Sequence, residues 1–326
     1  MLRELADCVG ELKPRKLLIA EDDRNDSSVV TNMGVDGIWA DDFHHQLFVT
    51  LTGERDGYYA AYEPGVAALA KTINQGWLYQ GEVFGPTNKP RGTPADVLDA
   101  PAFVYCLENH DQVGNRARGD RLSQLVSPDA NRAAATLLLF LPMTPLLFMG
   151  QEWAASTPFL FFTNHDLELG KLVSEGRRAE FKSFKAFADP EAQASIPDPQ
   201  DPVAFEQSRL NWQEREQGEH GRVLELYRSL LALRKSDPVL RASSRRGLTA
   251  QAIGDVLVVK REIEGATRLL VHNLGKNSVA LGPLLTQVAP RDTHTPTLIF
   301  HSAGEARLQE NLPPATAMIL GTALRS

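Results

Sequence analysis

Residues 102–111 read AFVYCLENHD, an apolar run of six residues that breaks into Glu108, Asn109, His110 and Asp111. Such a run is too short for a buried helix and suits a buried strand. A polar cluster directly after it is what the C-terminal end of a parallel strand presents to a ligand. The arrangement repeats along the chain. Residues 16–20 (KLLIA) end at Glu21, residues 35–40 (VDGIWA) run into Asp41 and Asp42, and residues 145–149 (PLLFM) are closed by Gly150. Helical patterns separate these runs at 42–53, 66–73 and 131–141. Another, 1–13, precedes them with Leu2, Leu5, Val9 and Leu12 on one stripe.

Strand, polar cluster and helix in this order predict an α/β fold with parallel strands and helical crossovers. Its functional rim lies at the strand C-termini, as in a barrel. A doubly wound sheet is the competing architecture, but no glycine-rich phosphate loop follows any strand. Further on, helices are expected at 169–184 and 221–235, and 189–202 (DPEAQASIPDPQDP) reads as loop. After Gly247 short strands at 256–260, 268–273, 298–301 and 317–320 alternate with turns. The expected division is 1–237, a partial barrel with an irregular insert, and 238–326, a small antiparallel β-sandwich domain.

The bulk properties narrow the partners. The chain has 326 residues, 43% of them hydrophobic, and a net charge of −7. That charge repels phosphate backbones and anionic lipid, so neither nucleic acid nor membrane is an expected partner, while neutral sugars are not penalised. No run approaches the roughly 18 apolar residues of a membrane span. The first residues carry acids among their apolar positions and resemble no secretion signal. Cys8 and Cys106 read as small buried hydrophobes without metal spacing, which suits a cytoplasmic protein.

Glu21 and Asp111 follow two of the strands, and glycoside cleavage requires two carboxyls flanking the scissile bond. Their surroundings carry a resemblance. The segments LLIAEDDRND (17–26), GIWADDFHH (37–45), LTGERDGYY (51–59), ENHDQVGNRARGDRL (108–122), LLFMGQEWAASTPFLFFTNHD (146–166) and EGRRAEF (175–181) occur in one order. In that order they resemble the maltooligosyltrehalose trehalohydrolases of the α-amylase clan.

The resemblance implies the C-terminal half of a TIM (β/α)8 barrel, strands five to eight. It implies hydrolysis of the α-1,4-glucosidic bond next to the terminal trehalose of a maltooligosyltrehalose, with retention and no cofactor. Glu21 resembles the general acid/base. Asp111 resembles the third carboxylate, which binds sugar hydroxyls at the cleaved position, with His110 as its partner. Asp41, Asp42, His44 and His45 would contact the leaving-group side, and either aspartate could also cap the following helix. A metal reading of DDFHH is set aside, because adjacent histidines point apart. Trp39, Phe43, Tyr58, Tyr59 and Trp153 are candidate sugar platforms, although core packing is the commoner role for each taken singly, and Gln112 and Arg116 are further subsite candidates. Arg177 and Arg178 read as structural ion-pair partners.

One family feature is missing from these residues. The nucleophile motif, F-R-x-D-A-x-H, has no counterpart here. The expectation is therefore a chain without strands one to four and negligibly active alone, with three explanations open: a truncated product, a separate polypeptide that supplies the missing N-terminal half, or a misassigned start codon. Two other readings stand beside it. One is another clan enzyme, a branching enzyme or amylase, which shares N-H-D but not DDFHH. The other is a non-catalytic remnant that binds α-glucan.

Overall fold

The computed structural model describes residues 1–181, 189–288 and 296–323. Four short parallel strands lie side by side in chain order: β1 (Ile19–Ala20), β2 (Gly37–Trp39), β3 (Phe103–Cys106) and β4 (Thr144–Leu146). Ile19 pairs with Gly37, Ile38 with Phe103 and Val104 with Thr144. All four are shorter than their apolar runs. At β1 only Ile19 and Ala20 find a partner strand, and Leu18 instead exchanges hydrogen bonds with Asp36.

Helices fill the crossovers. After α1 (Leu2–Gly10), α2 (Asp41–Thr52) and α3 (Val66–Gln75) separate β2 from β3, and α4 (His110–Gly114) and α5 (Pro128–Phe140) separate β3 from β4. Gly53 stops α2 with a left-handed φ of 73° and an N–H bonded to the Val49 carbonyl. Ser127 starts α5 by accepting the Ala130 N–H, with Pro128 at the first turn where a missing N–H costs nothing. Beyond β4 come α6 (Leu167–Glu180) and α7 (Gly218–Ser236). The expected helix 169–184 begins earlier, and residues 182–184 lie outside the described residues. The stretch read as loop holds a short helix, Pro190–Ala194, ahead of Pro202–Gln207.

The C-terminal part is a five-stranded antiparallel sheet of β5 (Thr249–Ile253), β6 (Val256–Ile263), β7 (Ala266–Asn273), β9 (Thr297–His301) and β11 (Thr316–Ala323), in the order β9-β11-β7-β6-β5. β8 (Val279–Ala280) and β10 (Asn311–Leu312) form a separate ribbon. No second full sheet makes a sandwich among the described residues. Alternation along β6 and β7 feeds two cores. Leu257, Val259 and Leu270 join the core that holds Ile38, Phe43 and Leu138, while Val256, Val258 and Val271 pack on Leu281 and Leu284 of α8 (Leu281–Val288). The apolar core thus runs unbroken across residue 238. Asn74 of α3 also bonds both backbone groups of Ala250, and Arg261 donates to the Phe140 carbonyl.

Cys106 is buried, but Cys8 is exposed on α1, contrary to its expected burial. Among the described residues no helix is long and apolar enough to cross a membrane.

Candidate active site

β3 passes into α4 through Asn109. Its side chain accepts the Gln112 N–H at 2.9 Å, which satisfies one of the donors a helix start leaves free. This cap fixes His110 and Asp111 at the rim, both exposed, with Asp111 accepting from Asn115 Nδ2 at 2.7 Å. Trp39, at the end of β2, meets the His110 ring edge-on. Glu21 follows β1 directly and is exposed.

Asp41 joins these groups. It opens α2 half-buried and accepts a long 3.4 Å hydrogen bond from Gln112 Nε2. Burial pushes its carboxyl up to about 6, with the charges of Asp42, Asp111 and Glu21 adding and Arg91 opposing. One carboxyl therefore feels Glu21 from the end of β1 and Asp111 from the end of β3. Three strand ends converge on a single rim.

Several expected substrate contacts face inward instead. Asp42 is wholly buried and accepts from Asn25 Nδ2, Tyr62 O–H and the Leu78 and Tyr79 N–H groups, with the Arg91 guanidinium 3.5 Å away. It ties α2 to the loop before β3 and has no surface left for a sugar. Neither Asp41 nor Asp42 caps α2; Ala40 holds that position, and both acids occupy the first turn, where they complement the helix dipole. His44 is also buried. Its Nδ1 donates to the Leu107 carbonyl, so Nε2 accepts from Tyr59 O–H at 3.1 Å, and burial holds it neutral. Phe43 stacks on Tyr105 in the core, and Tyr59 and Trp153 are 3% and 2% exposed, too little to serve as platforms. Trp39 and Tyr58 keep accessible surface.

His45 differs from His44. It is half-buried among Tyr58, Tyr59 and Tyr62, and its buried Nδ1 has no partner among the described residues. Burial, helped by Arg91, holds its pKa near 3, so it faces any ligand as a neutral ring. Gln112 is buried and braces Asp41. Arg116 is committed to a two-pronged pair with Glu54 at 3.0 and 3.1 Å, which ties the residues after Asp111 to the loop carrying Tyr58.

Of the supports, sequence reasoning foresaw Arg177 and Arg178 as ion-pair partners and missed Arg121 and Arg91. Arg121, wholly buried, pairs with Glu108 at 3.3 Å and also donates to the Met149 and Thr157 carbonyls. It locks the start of ENHD to the loop after β4. Arg177 pairs with Glu180 and, beyond that, holds the Gly114 and Arg116 carbonyls, while Arg178 pairs with Asp198. Nothing in the local sequence marks Arg121 as buried or Arg91 as partly covered beside Asp42; both sit in polar, loop-like stretches.

No family model matches the chain. A Salmonella typhimurium protein described as a candidate alpha amylase superposes with a TM-score of 0.83 at 31% identity, covering 99% of this chain and 54% of that one. The chain is thus a homologue of α-amylase-family barrel enzymes. More narrowly, it is homologous to the malto-oligosyltrehalose trehalohydrolases. It is 48% identical to that of Deinococcus radiodurans over 326 residues, 98% of this chain and 52% of the relative. With that of Rhizobium sp. strain M-11 it is 44% identical over 328 residues, again 52% of the relative. The chain spans about half the length of the curated relatives it matches.

Proposed function

We propose that this chain forms strands five to eight of an α-amylase-type barrel. Together with the strands that complete it, the protein hydrolyses the α-1,4-glucosidic bond beside the terminal trehalose of a maltooligosyltrehalose and releases trehalose. The observation that carries this reading is the rim at the ends of the adjacent parallel strands β1, β2 and β3, where Glu21 follows Ala20, Gln112 donates to Asp41 and Trp39 meets His110. The names of the relatives support the choice of substrate.

In this reading Glu21 gives a proton to the departing glycosidic oxygen and later takes one from the attacking water. Asp111 and His110 hold the hydroxyls of the ring being cleaved. Trp39 and Tyr58 cover apolar sugar faces. His45 offers a neutral ring to the leaving side. Retention needs a second carboxyl about 5–5.5 Å from the acid. Asp22 and Asp23 are tied to Glu21 by sequence, and Asp111 has its own role. The nucleophile therefore comes from outside these 326 residues. A cytoplasmic setting goes with this reading, since both thiols are free.

The test is trehalose release from maltosyltrehalose by the purified chain, with and without a polypeptide carrying the complementary strands. Release is expected only when both are present, and Glu21→Gln should abolish it. Maltose release from starch in place of trehalose would favour another clan enzyme. Turnover by the chain alone that survives Glu21→Gln would refute the assignment of Glu21.

A further inference from the structure

Glu21 follows the shortest of the four parallel strands. Only Ile19 and Ala20 of β1 pair with β2, and β1 has no neighbour on its other side among the described residues. The Glu21 carboxyl is exposed and makes no hydrogen bond or ion pair among them either. Its place at the rim is therefore set by the backbone that follows it, residues 22–27.

That backbone is stitched to a second loop, the one before β3. Arg91 Nε donates to the Asp23 carbonyl at 2.8 Å. The Asn25 carbonyl accepts the Thr93 N–H at 3.0 Å, and Thr93 Oγ1 accepts the Ser27 N–H at 2.9 Å. The second loop is itself firmly held. Trp77, wholly buried, donates its indole N–H to the Thr93 carbonyl at 2.9 Å. Gly92, with a φ of 84°, lies so close to the Tyr79 carbonyl that a Cβ would run into it, so only glycine fits there.

Asn25 is the centre of the stitch. It is 1% exposed and has a left-handed φ of 57°, which its short polar side chain tolerates. Its Nδ2 donates to Asp42 Oδ2 at 2.7 Å and to the Tyr79 carbonyl at 3.3 Å. A charged acceptor makes the first of these a strong bond. Turning the amide over would set its oxygen against the Asp42 carboxylate, so its orientation is fixed. Asp42 sits in the first turn of α2 and is held by Tyr62 and the Leu78 and Tyr79 N–H groups. The loop behind Glu21 thus takes its register from α2 and the core as well as from the short ladder of β1.

We infer that Asn25 is a positioning residue for Glu21: gripped by Asp42 and Thr93, it holds the loop that fixes the acid at the rim. The inference rests on Glu21 being the proton donor of the proposed reaction. Asn25 itself is buried and meets no substrate.

The test compares paired variants of the chain by 13C NMR of the Asp41 side chain. Asn25→Gly keeps the left-handed backbone without strain and removes only the grip on Asp42. In the parent, Glu21→Gln and Asp111→Asn should each lower the Asp41 midpoint. In the Asn25→Gly background the Glu21 step should shrink by roughly half or more, since the Coulomb effect falls with distance, while the Asp111 step should stay. With the complementary strands present, Asn25→Gly should lower kcat for trehalose release roughly tenfold with KM little changed, because a misplaced catalytic group slows chemistry more than binding. Thr93→Val, which releases Ser27 from the second loop, should act in the same direction and decides the matter if Asn25→Gly does not fold. A Glu21 step undiminished in both variants would overturn the inference, as would equal loss of the Glu21 and Asp111 steps, the mark of a general loosening. No trehalose from the parent mixture would defeat the hydrolysis instead, and selective loss of the Glu21 step would still support the placement by Asn25.

Discussion

The indole of Trp39 and the imidazole of His110 meet edge-on, ring centroids 6.1 Å apart and planes at 68°. Trp39 ends β2 and His110 opens α4 just past the neighbouring β3, and the parallel register Trp39↔Val104 sets those two strands side by side. Trp39 keeps part of its surface open, so it can serve a sugar and the His110 ring at once. Trp39→Ala is expected to weaken α-glucan binding by roughly tenfold, about 1.4 kcal/mol, with little loss of fold. Calorimetric titration with maltotriose, beside a thermal melt, checks both halves. Unchanged affinity would remove Trp39 from the site.

Asp41 reports on its neighbours. Its carboxyl should titrate near 6, and 13C NMR of the side chain reads the midpoint directly. Asp111→Asn and Glu21→Gln should each lower that midpoint, because each removes a charge that opposes ionisation. A midpoint deaf to both changes would place the three carboxyls apart. The shift also carries a sign for stability. The folded value lies above the ordinary 3.8, so between about 4 and 6 the native chain holds more protons than the unfolded one, and stability falls as pH rises through that window. Asp41→Asn keeps an oxygen for Gln112 and removes the fall. It should be more stable than the parent at pH ~7.5, by on the order of 3 kcal/mol at most, and little different near pH 3.5.

Arg121 and Glu108 form a buried pair whose members depend on each other. Burial raises the Glu108 carboxyl, while Arg121 and the Leu122 N–H hold it down. Arg121→Met leaves a carboxylate in the core and should cost about 3–5 kcal/mol in urea unfolding. Adding Glu108→Gln removes the stranded charge yet keeps an acceptor for Leu122. The double variant should recover part of the loss, with a coupling of about 1–3 kcal/mol. Additive losses would mean that Arg121 acts only through the Met149 and Thr157 carbonyls.

These supports explain what the sequence could and could not disclose. Apolar runs ending in polar clusters located all four parallel strands; β3 is buried on both faces and needs no alternation, whereas β1, with Ile19 exposed, and β4 are only partly covered. The runs overstated strand length, since pairing ends where the neighbour ends, as at Leu18. Helical patterning found α2, expected at 42–53 and observed at Asp41–Thr52, but could not tell its ligand face from its core face. From Asp42 to Val49 every side chain except His45 is buried, so no polar face distinguishes a ligand contact from a core contact. Asp42 and His44 looked like site residues because they are polar, yet each is polar to satisfy partners inside the core. Trp153, an aromatic in a rim loop, turns inward and takes the core role that is the commoner one for such a residue. Arg91 lay in a Gly- and Pro-rich stretch, and its partner Asp42 is 49 positions away.

His272 carries the last prediction. It is wholly buried in β7, where the register sets it between Leu257 and Ala317, and neither ring nitrogen has a partner among the described residues. Burial lowers its pKa from 6.5 to about 3. As pH falls below the unfolded value, the unfolded chain takes up a proton that the native chain refuses, so stability is lost from about pH 6.5 downward. By pH ~5 that loss is about 2 kcal/mol. His272→Leu removes both the uptake and two unmet polar atoms, each of which costs about 1–3 kcal/mol when buried. The variant should unfold at higher urea than the parent at pH ~7.5, and the gap should widen at pH ~5. A gap that stays constant between the two conditions would mean that the ring is hydrated or paired in solution.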